Sequence, residues 1–247
     1  MATELTGRVA IVTGGSRGIG RAVAVRLAEA GAEVVLTYRE NATAAVEVVD
    51  EIRAKGGRVL AVRVDSAEAG SMDDVVERTV ARWGRLDVLV NNAAEFVLGP
   101  LDDMDAATFD RVVATNVRAP FLAARAAARH MGDGGRIVTI GSNVAERTPF
   151  PGLTLYALSK SALVGMTKGL ARDLGPRGIT ANLVDPGPTD TDASPADGPQ
   201  AAVIAGFTAL GRFARPEEIA GTVRHLAGPE AGYVTGAVIA VDGGFTA

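Results

Sequence analysis

Tyr156 and Lys160 stand four residues apart at the start of a stretch, Tyr156 to Leu174, whose apolar residues recur with helical period. On a helix that spacing puts both side chains on one face, one turn apart. A phenol with a reference pKa of about 10 is a poor acid or base at neutral pH unless a cation stabilises its phenolate, and a lysine one turn away can supply that cation. Many surface helices carry such a pair by chance, so its chemistry depends on what else reaches it. Ser142 follows the apolar run Gly135 to Ile140, and Asn116 lies in the helical segment before that run, so both can converge on the carboxyl edge of a sheet. Taken singly, the serine reads equally as a turn or cap residue and the asparagine as a polar helix residue.

A second constellation lies near the start of the chain. Directly after the first β-branched run comes Thr13-Gly14-Gly15-Ser16-Arg17-Gly18-Ile19-Gly20, followed by an amphipathic helical stretch. Glycines there let the chain turn sharply, bring bare backbone against a pyrophosphate and aim a helix N-terminus at its charge. The spacing is Gly-x-x-x-Gly-x-Gly, not the common Gly-x-Gly-x-x-Gly, and a tight strand-to-helix turn needs glycine on structural grounds too. The position after the first strand favours phosphate binding. At the end of the second strand the chain reads Leu36-Thr37-Tyr38-Arg39. A carboxylate there would accept the adenine-ribose hydroxyls of NAD and repel a 2'-phosphate, and it is missing. Arg39 and Arg17 supply two guanidinium groups instead, which predicts NADP(H) preferred over NAD(H). The plainer reading is two solvated charges, with Glu40 pairing with Arg39.

These residues need elements to carry them. Candidate strands run from Arg8 to Thr13, Glu33 to Tyr38, Arg58 to Val64, Leu86 to Asn91, Gly135 to Ile140, Thr180 to Val184 and Ala237 to Val241. Helical stretches alternate with them: Ile19 to Ala30, Ala42 to Lys55, Met72 to Trp83, Phe109 to His130, Tyr156 to Leu174 and Glu217 to Leu226. Strands that are apolar almost throughout, separated by helices, predict an α/β chain of one domain over 1–247: a doubly wound, Rossmann-type fold with a mostly parallel seven-stranded sheet and helices on both faces. Gly31, Gly56 and Gly175 are expected to end helices in the left-handed conformation. The Pro-, Asp- and Gly-rich stretch after Pro186 interrupts the rhythm, and residues 188–211 are read as a flap over a ligand in preference to a plain surface connection.

Composition removes several classes of function. The 247 residues are 47% hydrophobic and include no cysteine, which excludes disulfides, thiolate zinc sites and thiol nucleophiles. With a formal charge of -4 and basic residues dispersed among acids, a nucleic-acid partner is not expected. Two histidines, His130 and His225, give no reason to expect a metal site. No signal peptide and no apolar run of roughly 18 to 20 residues is seen, so a cytoplasmic protein with no membrane partner is expected.

Taken in order along the whole chain, the Thr13 to Gly20 loop, Asp65, Asn91-Asn92-Ala93-Ala94, Asn116, Ser142, Tyr156-x-x-x-Lys160 and Pro186-Gly187 followed by Thr189 resemble the short-chain dehydrogenase/reductase family. The Thr139-Ile140-Gly141-Ser142 run and the ending Asp242-Gly243-Gly244-Phe245 look most like its 3-oxoacyl-(acyl-carrier-protein) reductase branch. The resemblance implies hydride transfer between nicotinamide and a carbonyl or secondary alcohol, with Tyr156 as general acid/base and Ser142 hydrogen-bonding the substrate oxygen. It implies that Lys160 binds the nicotinamide ribose and lowers the Tyr156 pKa, while Asn116 holds a water linking Lys160 to solvent. By the same resemblance Gly14, Ser16, Arg17, Gly18, Ile19, Gly20, Arg39, Asp65, Ser66, Asn92 and Ala93 line the cofactor, Asp65 holding the adenine amine, and Pro186, Gly187 and Thr189 flank the nicotinamide. Ala94 departs from the family's usual glycine, and Asp185 occupies a position that varies in it. A small-molecule substrate and a homotetramer are expected, the latter also from the apolar, glycine-rich ending Val234 to Ala247. Glu95, Phe96, Val144, Arg147, Phe150 and Leu153 are candidate pocket residues. Two other readings share the fold: an epimerase or dehydratase, and a catalytically silent NADP(H)-binding regulator.

Overall fold

Along the strands, successive side chains enter two different cores. Ala10, Val12, Val34, Leu36, Val88 and Val90 belong to one buried cluster, whereas Ile11, Val35, Leu89 and Ile137 belong to another. Because side chains alternate in direction along a strand, a run that is apolar throughout must be covered on both faces. A computed structural model describes residues 4–247 and shows how this is done. The strands are β1 (Val9–Val12), β2 (Glu33–Tyr38), β3 (Val59–Arg63), β4 (Val88–Asn91), β5 (Arg136–Ile140), β6 (Thr180–Pro186) and β7 (Val238–Val241). They form one sheet in the order β3-β2-β1-β4-β5-β6-β7. Every pairing in it is parallel, so the expected mostly parallel sheet is parallel throughout.

The helices are α1 (Gly18–Glu29), α2 (Ala42–Ala54), α3 (Ser71–Trp83), α4 (Ala106–Val113), α5 (Ala119–Ala128), α6 (Thr154–Leu174), α7 (Ala201–Ala205) and α8 (Pro216–Ala227). Buried residues of α1, α2 and α8 join the first cluster, and those of α3 and α5, with Leu174 of α6, join the second. The strand order reverses between β1 and β4, whose register pairs Ala10 with Val88 and Val12 with Val90. In a doubly wound sheet that reversal opens a crevice at the carboxyl ends of the strands. The glycine-rich loop leaves β1 there, and Asn92 leaves β4.

Three expectations need correction. The single helix Phe109 to His130 is split, with a π turn over Ala114–Arg118 separating α4 from α5. Pro120 is the cause: it has no N–H for the carbonyl four residues back, which belongs to Asn116, and its ring crowds that carbonyl. The chain widens to an i to i+5 bond from Ala119 N–H to the Ala114 carbonyl. Gly31 and Gly56 are left-handed as expected, but Gly175 is helical, and the reversal falls on Gly178 at φ 70° after a tight turn begun by Pro176. β6 runs two residues further than expected, so Asp185 and Pro186 are strand residues paired with Ala240 and Val241 rather than the start of a connection.

Residues 188–211 have local order. Thr189 bridges to Ala214, Ala196 N–H caps onto the Asp190 carboxylate at 2.9 Å, and Phe207 meets the Phe245 ring edge-on at 5.8 Å between centroids. Among the described residues no helix is long and apolar enough to cross a membrane.

Candidate active site

At the strand reversal, the glycine-rich loop is fixed from below by hydroxyls. Gly14 N–H donates to Thr37 Oγ1 at 3.2 Å and Gly15 N–H to the Thr37 carbonyl at 2.9 Å, both on β2. Thr13 Oγ1 accepts the N–H groups of Asn92 and Ala93, at 2.9 and 3.0 Å. The Asn92 amide in turn donates to the carbonyls of Thr13 and Gly14, at 2.9 and 3.1 Å. A Cβ at Gly20 would stand 2.2 Å from the Gly14 oxygen and 2.4 Å from Asn92 Nδ2, and one at Gly15 would stand 2.7 Å from Leu36 Cβ. Gly14 and Gly18 have φ of +64° and +51°, which glycine alone adopts without strain. No side chain caps the N-terminus of α1, so its first N–H groups are left to a ligand. A dinucleotide pyrophosphate fits this arrangement: an uncapped helix start, bare glycine backbone and no acid in the first turn. Thr191 closes over it, its Cγ2 lying 3.2 Å from where a Gly18 Cβ would be.

At the outer edge of β2, Arg17 and Arg39 are exposed, and Arg39 Nε pairs with Glu40 at 3.0 Å, as the plainer reading anticipated. A third arginine arrives unforeseen: Arg63, paired in register with Tyr38, donates from Nε to the Arg39 carbonyl at 3.1 Å. Asp65 spends one carboxylate oxygen on Ala67 N–H at 2.9 Å, and Ser66 beside it is partly buried.

The catalytic candidates come together across the exit of β5. Ser142 is 8% exposed, caps the short turn Asn143–Ala145 and lies close enough to the Tyr156 side chain to influence its pKa. It is thus both the cap and the neighbour of the phenol. Lys160, 3% exposed, donates from Nζ to the Ile140 carbonyl at 3.0 Å and lies 5.6 Å from the centre of the Tyr156 ring. Burial pushes the Tyr156 phenol up to about 12 against the pull of the Ser142 side chain, with the Asp185 carboxylate adding to the rise. Burial also lowers Lys160, to about 8, opposed by Asp185. Burial is the dominant effect on Tyr156, and it keeps the phenol protonated at neutral pH.

Asn116 is buried in the π turn with its side chain fully engaged. Its amide donates to the Glu95 carbonyl at 2.9 Å and to Ser159 Oγ at 3.0 Å, and its oxygen accepts Glu95 N–H at 2.8 Å. The main-chain carbonyl of Asn116, which Pro120 deprives of a helical donor, is free to accept a hydrogen bond from a water. Ser159, absent from the sequence-based assignment, links this asparagine to the Tyr156 carbonyl, to which it donates at 2.8 Å. Its place three residues after Tyr156 was the available signal.

Pro186 is the last residue of β6, Gly187 and Thr189 follow it, and a Cβ at Gly187 would meet Asp242 Cα at 2.6 Å. Ala94 keeps an ordinary backbone, since no non-glycine residue among those described has positive φ. Of the pocket candidates, Phe96 stacks edge-on against Tyr156 at 4.9 Å and is half exposed, and Val144 and Phe150 are partly buried. Glu95 is paired with Arg111 at 2.8 Å, Arg147 donates to the Phe245 carbonyl, and Leu153 is core. The Glu95 charge is thus paired within the protein, whereas Arg147 is held by a neutral carbonyl and keeps its charge. No cluster of histidines and acids able to hold a metal occurs among the described residues.

A glycine-rich loop at the strand reversal and a tyrosine-lysine pair beside a serine thus face the carboxyl edge of one parallel α/β sheet. A family model described as "Enoyl-(Acyl carrier protein) reductase" matches residues 14–246. A cyclic-di-GMP-binding biofilm dispersal mediator protein of Escherichia coli is 47% identical over 98% of both chains. A 3-oxoacyl-[acyl-carrier-protein] reductase of Synechocystis is 41% identical, again over 98% of both. A short-chain dehydrogenase from Burkholderia cenocepacia, solved with NADP, superposes with a TM-score of 0.97 at 48% identity, covering 99% of this chain and all of the other (100%). The chain belongs to the short-chain dehydrogenase/reductase family of oxidoreductases.

Replacing Thr13 by Val leaves two part-buried amides, of Asn92 and Ala93, without their acceptor. Thr13→Val is expected to lower unfolding free energy by about 2–4 kcal/mol in a denaturant titration; an unchanged midpoint would show that the hydroxyl does not hold the loop.

Proposed function

We propose that this protein is an NADP(H)-dependent carbonyl reductase, with Tyr156 as the proton donor. The observation that carries this reading is the part-buried Tyr156 phenol, with Lys160 Nζ 5.6 Å from its ring and Ser142 beside it at the exit of β5. When bound, NADPH supplies the hydride that reduces the carbonyl carbon. The Ser142 hydroxyl orients the substrate oxygen, and Tyr156 transfers its phenolic proton to that oxygen as negative charge develops there. Lys160 stabilises the phenolate left behind and meets the nicotinamide ribose. Asn116 and Ser159 hold the first turn of α6 at the π turn, which fixes the phenol relative to Ser142.

The glycine loop and the α1 N-terminus receive the pyrophosphate, with Asp65, Ser66, Asn92 and Ala93 along the adenosine side and Pro186, Gly187 and Thr189 along the nicotinamide. The relative from B. cenocepacia holds NADP in the same fold. Arg17 and Arg39 take the 2'-phosphate, Arg39 leaving Glu40 to do so, and Arg63 braces the Arg39 backbone.

A second reading is supported by the E. coli relative, whose name describes a nucleotide-binding mediator. It makes this chain a regulator that binds NADPH without turnover. A panel of acyl thioesters, cyclic ketones, quinones and aldoses separates the two.

With the best substrate of that panel, Tyr156→Phe is expected to bind NADPH with near wild-type affinity and to lose turnover by about 100-fold or more. Undiminished reduction would remove Tyr156 from the chemistry. The Arg17→Ala, Arg39→Ala double variant is expected to weaken NADPH binding by at least about tenfold through lost charge-assisted contacts, leaving NADH binding little changed; equal losses for both would reject the phosphate assignment. A homotetramer is also proposed, because β7 is an open edge that leaves Val238 41% exposed. Sedimentation at micromolar concentration should find four chains, and a monomer there would refute it.

A further inference from the structure

β6 carries an acid into the floor of the site that the proton transfer above does not use. Asp185 lies one residue before the Pro186-Gly187 turn, pairs in register with Ala240 and is 5% exposed. Its Oδ1 accepts the Ser142 N–H at 3.0 Å. Gly141 makes the room, since a Cβ there would overlap that same oxygen, and its own N–H donates to the Val184 carbonyl at 2.8 Å. One residue further back, the Ile140 carbonyl receives Lys160 Nζ. Three consecutive residues at the end of β5 thus bind the lysine, clear a space for the carboxylate and donate a hydrogen bond to it.

We propose that Asp185 is a positioning residue whose carboxylate, held on the Ser142 amide, is the counter-charge of Lys160 and biases the Tyr156–Lys160 pair toward its protonated form. This rests on the reading of Tyr156 as proton donor. The groups that face Asp185 determine its state. From α6 there are Lys160, a cation that favours its ionised form, and the neutral Tyr156. Glu146 reaches it from the loop after Ser142, and Asp242 from the turn after β7, both acids that oppose its ionisation. Burial raises Asp185 to about 6, more than the Ser142 N–H and Lys160 lower it. It is therefore an anion through the neutral and alkaline range, 5% exposed and in hydrogen-bond contact with the β5 exit.

A nearby negative charge favours every protonated form of a coupled pair, so both macroscopic constants of the tyrosine-lysine couple stand higher with Asp185 ionised than without it. The consequence is a phenol that persists to more alkaline pH, which extends proton donation. The amide of Asn offers the same acceptor oxygen to Ser142 without the charge, so Asp185→Asn separates electrostatics from hydrogen bonding.

In the full-length protein, lysine labelled at Cε gives NMR signals for Lys160 beside only Lys55 and Lys168, with Lys160→Met as the assignment control. The Lys160 titration, near 8 in the wild type, is expected to fall by about one pH unit in Asp185→Asn. The alkaline limb of carbonyl reduction is expected to move the same way. The wild-type Lys160 signal should also show a second inflection near pH 6, where Asp185 takes its own proton, a readout that needs no variant at that position. A Lys160 titration that is unmoved in Asp185→Asn, or that shows no inflection near 6 in the wild type, would overturn the proposal and leave Asp185 as an acceptor for Ser142 alone. A shifted Lys160 in a protein that reduces no carbonyl would uphold the coupling and reject the reaction instead.

Discussion

One side-chain amide joins the two strands between which the sheet changes direction, and the cofactor cradle depends on it. Asn92 reaches from the end of β4 to two successive carbonyls of the loop leaving β1. The sheet's own hydrogen bonds end at the strand termini, so without this contact the crevice that opens at the strand reversal would be bordered by unpaired carbonyls. With it, the loop is drawn so close that Gly20 has no space for a Cβ. The absence of side chains there is thus a packing requirement of the latch as well as a means of admitting phosphate. Thr13 completes the arrangement from the other side, its single oxygen serving both amides after Asn91.

The second half of the site meets a different constraint, the burial of an ammonium group. Lys160 is nearly inaccessible, and moving such a charge out of water costs several kcal/mol unless dipoles and counter-charges replace the solvent. The Ile140 carbonyl supplies a dipole and Asp185 supplies a charge, one on each of two neighbouring parallel strands. The carbonyl binds the lysine directly, and the carboxylate acts on it from a distance because β6 continues past the point where the neighbouring chain turns at Ser142. The extra length of β6 is therefore part of the site and not a detail of its boundary.

The strand-helix rhythm was legible because two-sided burial writes itself as uninterrupted apolar runs, and the Tyr156–Lys160 pair was legible because helix geometry alone puts them on one face. What could not be read were contacts whose partners lie far apart in the chain. Glu95 and Arg147 looked like charges for a pocket, yet one is claimed by Arg111 and the other by the Phe245 carbonyl, 98 residues away. Arg63 ends β3 and reaches the cofactor edge through a register that pairs it with Tyr38, which no local pattern specifies. The π turn is an intermediate case. Pro120 stood in the sequence as a warning within an otherwise regular helical pattern, but it takes a derivation at the level of single carbonyls to see that Asn116 is the residue it affects.

Asp185 shows why a residue can be seen and still be misjudged. Between the strand expected to end at Val184 and Pro186-Gly187, it stood out only as a residue whose position varies in the family. The strand continues for two residues more, and the same carboxylate enters a space that Gly141 leaves open. Its weight then comes from the medium: a charge screened at the surface acts strongly where neighbouring groups have lost their water. Lys160 feels it because it is buried, and Tyr156 because it is largely withdrawn from solvent beside it. Desolvation, which by itself would neutralise the lysine, and the acid, which holds its proton in place, are two sides of one balance. The geometry of the β5 exit sets that balance through three adjacent backbone positions.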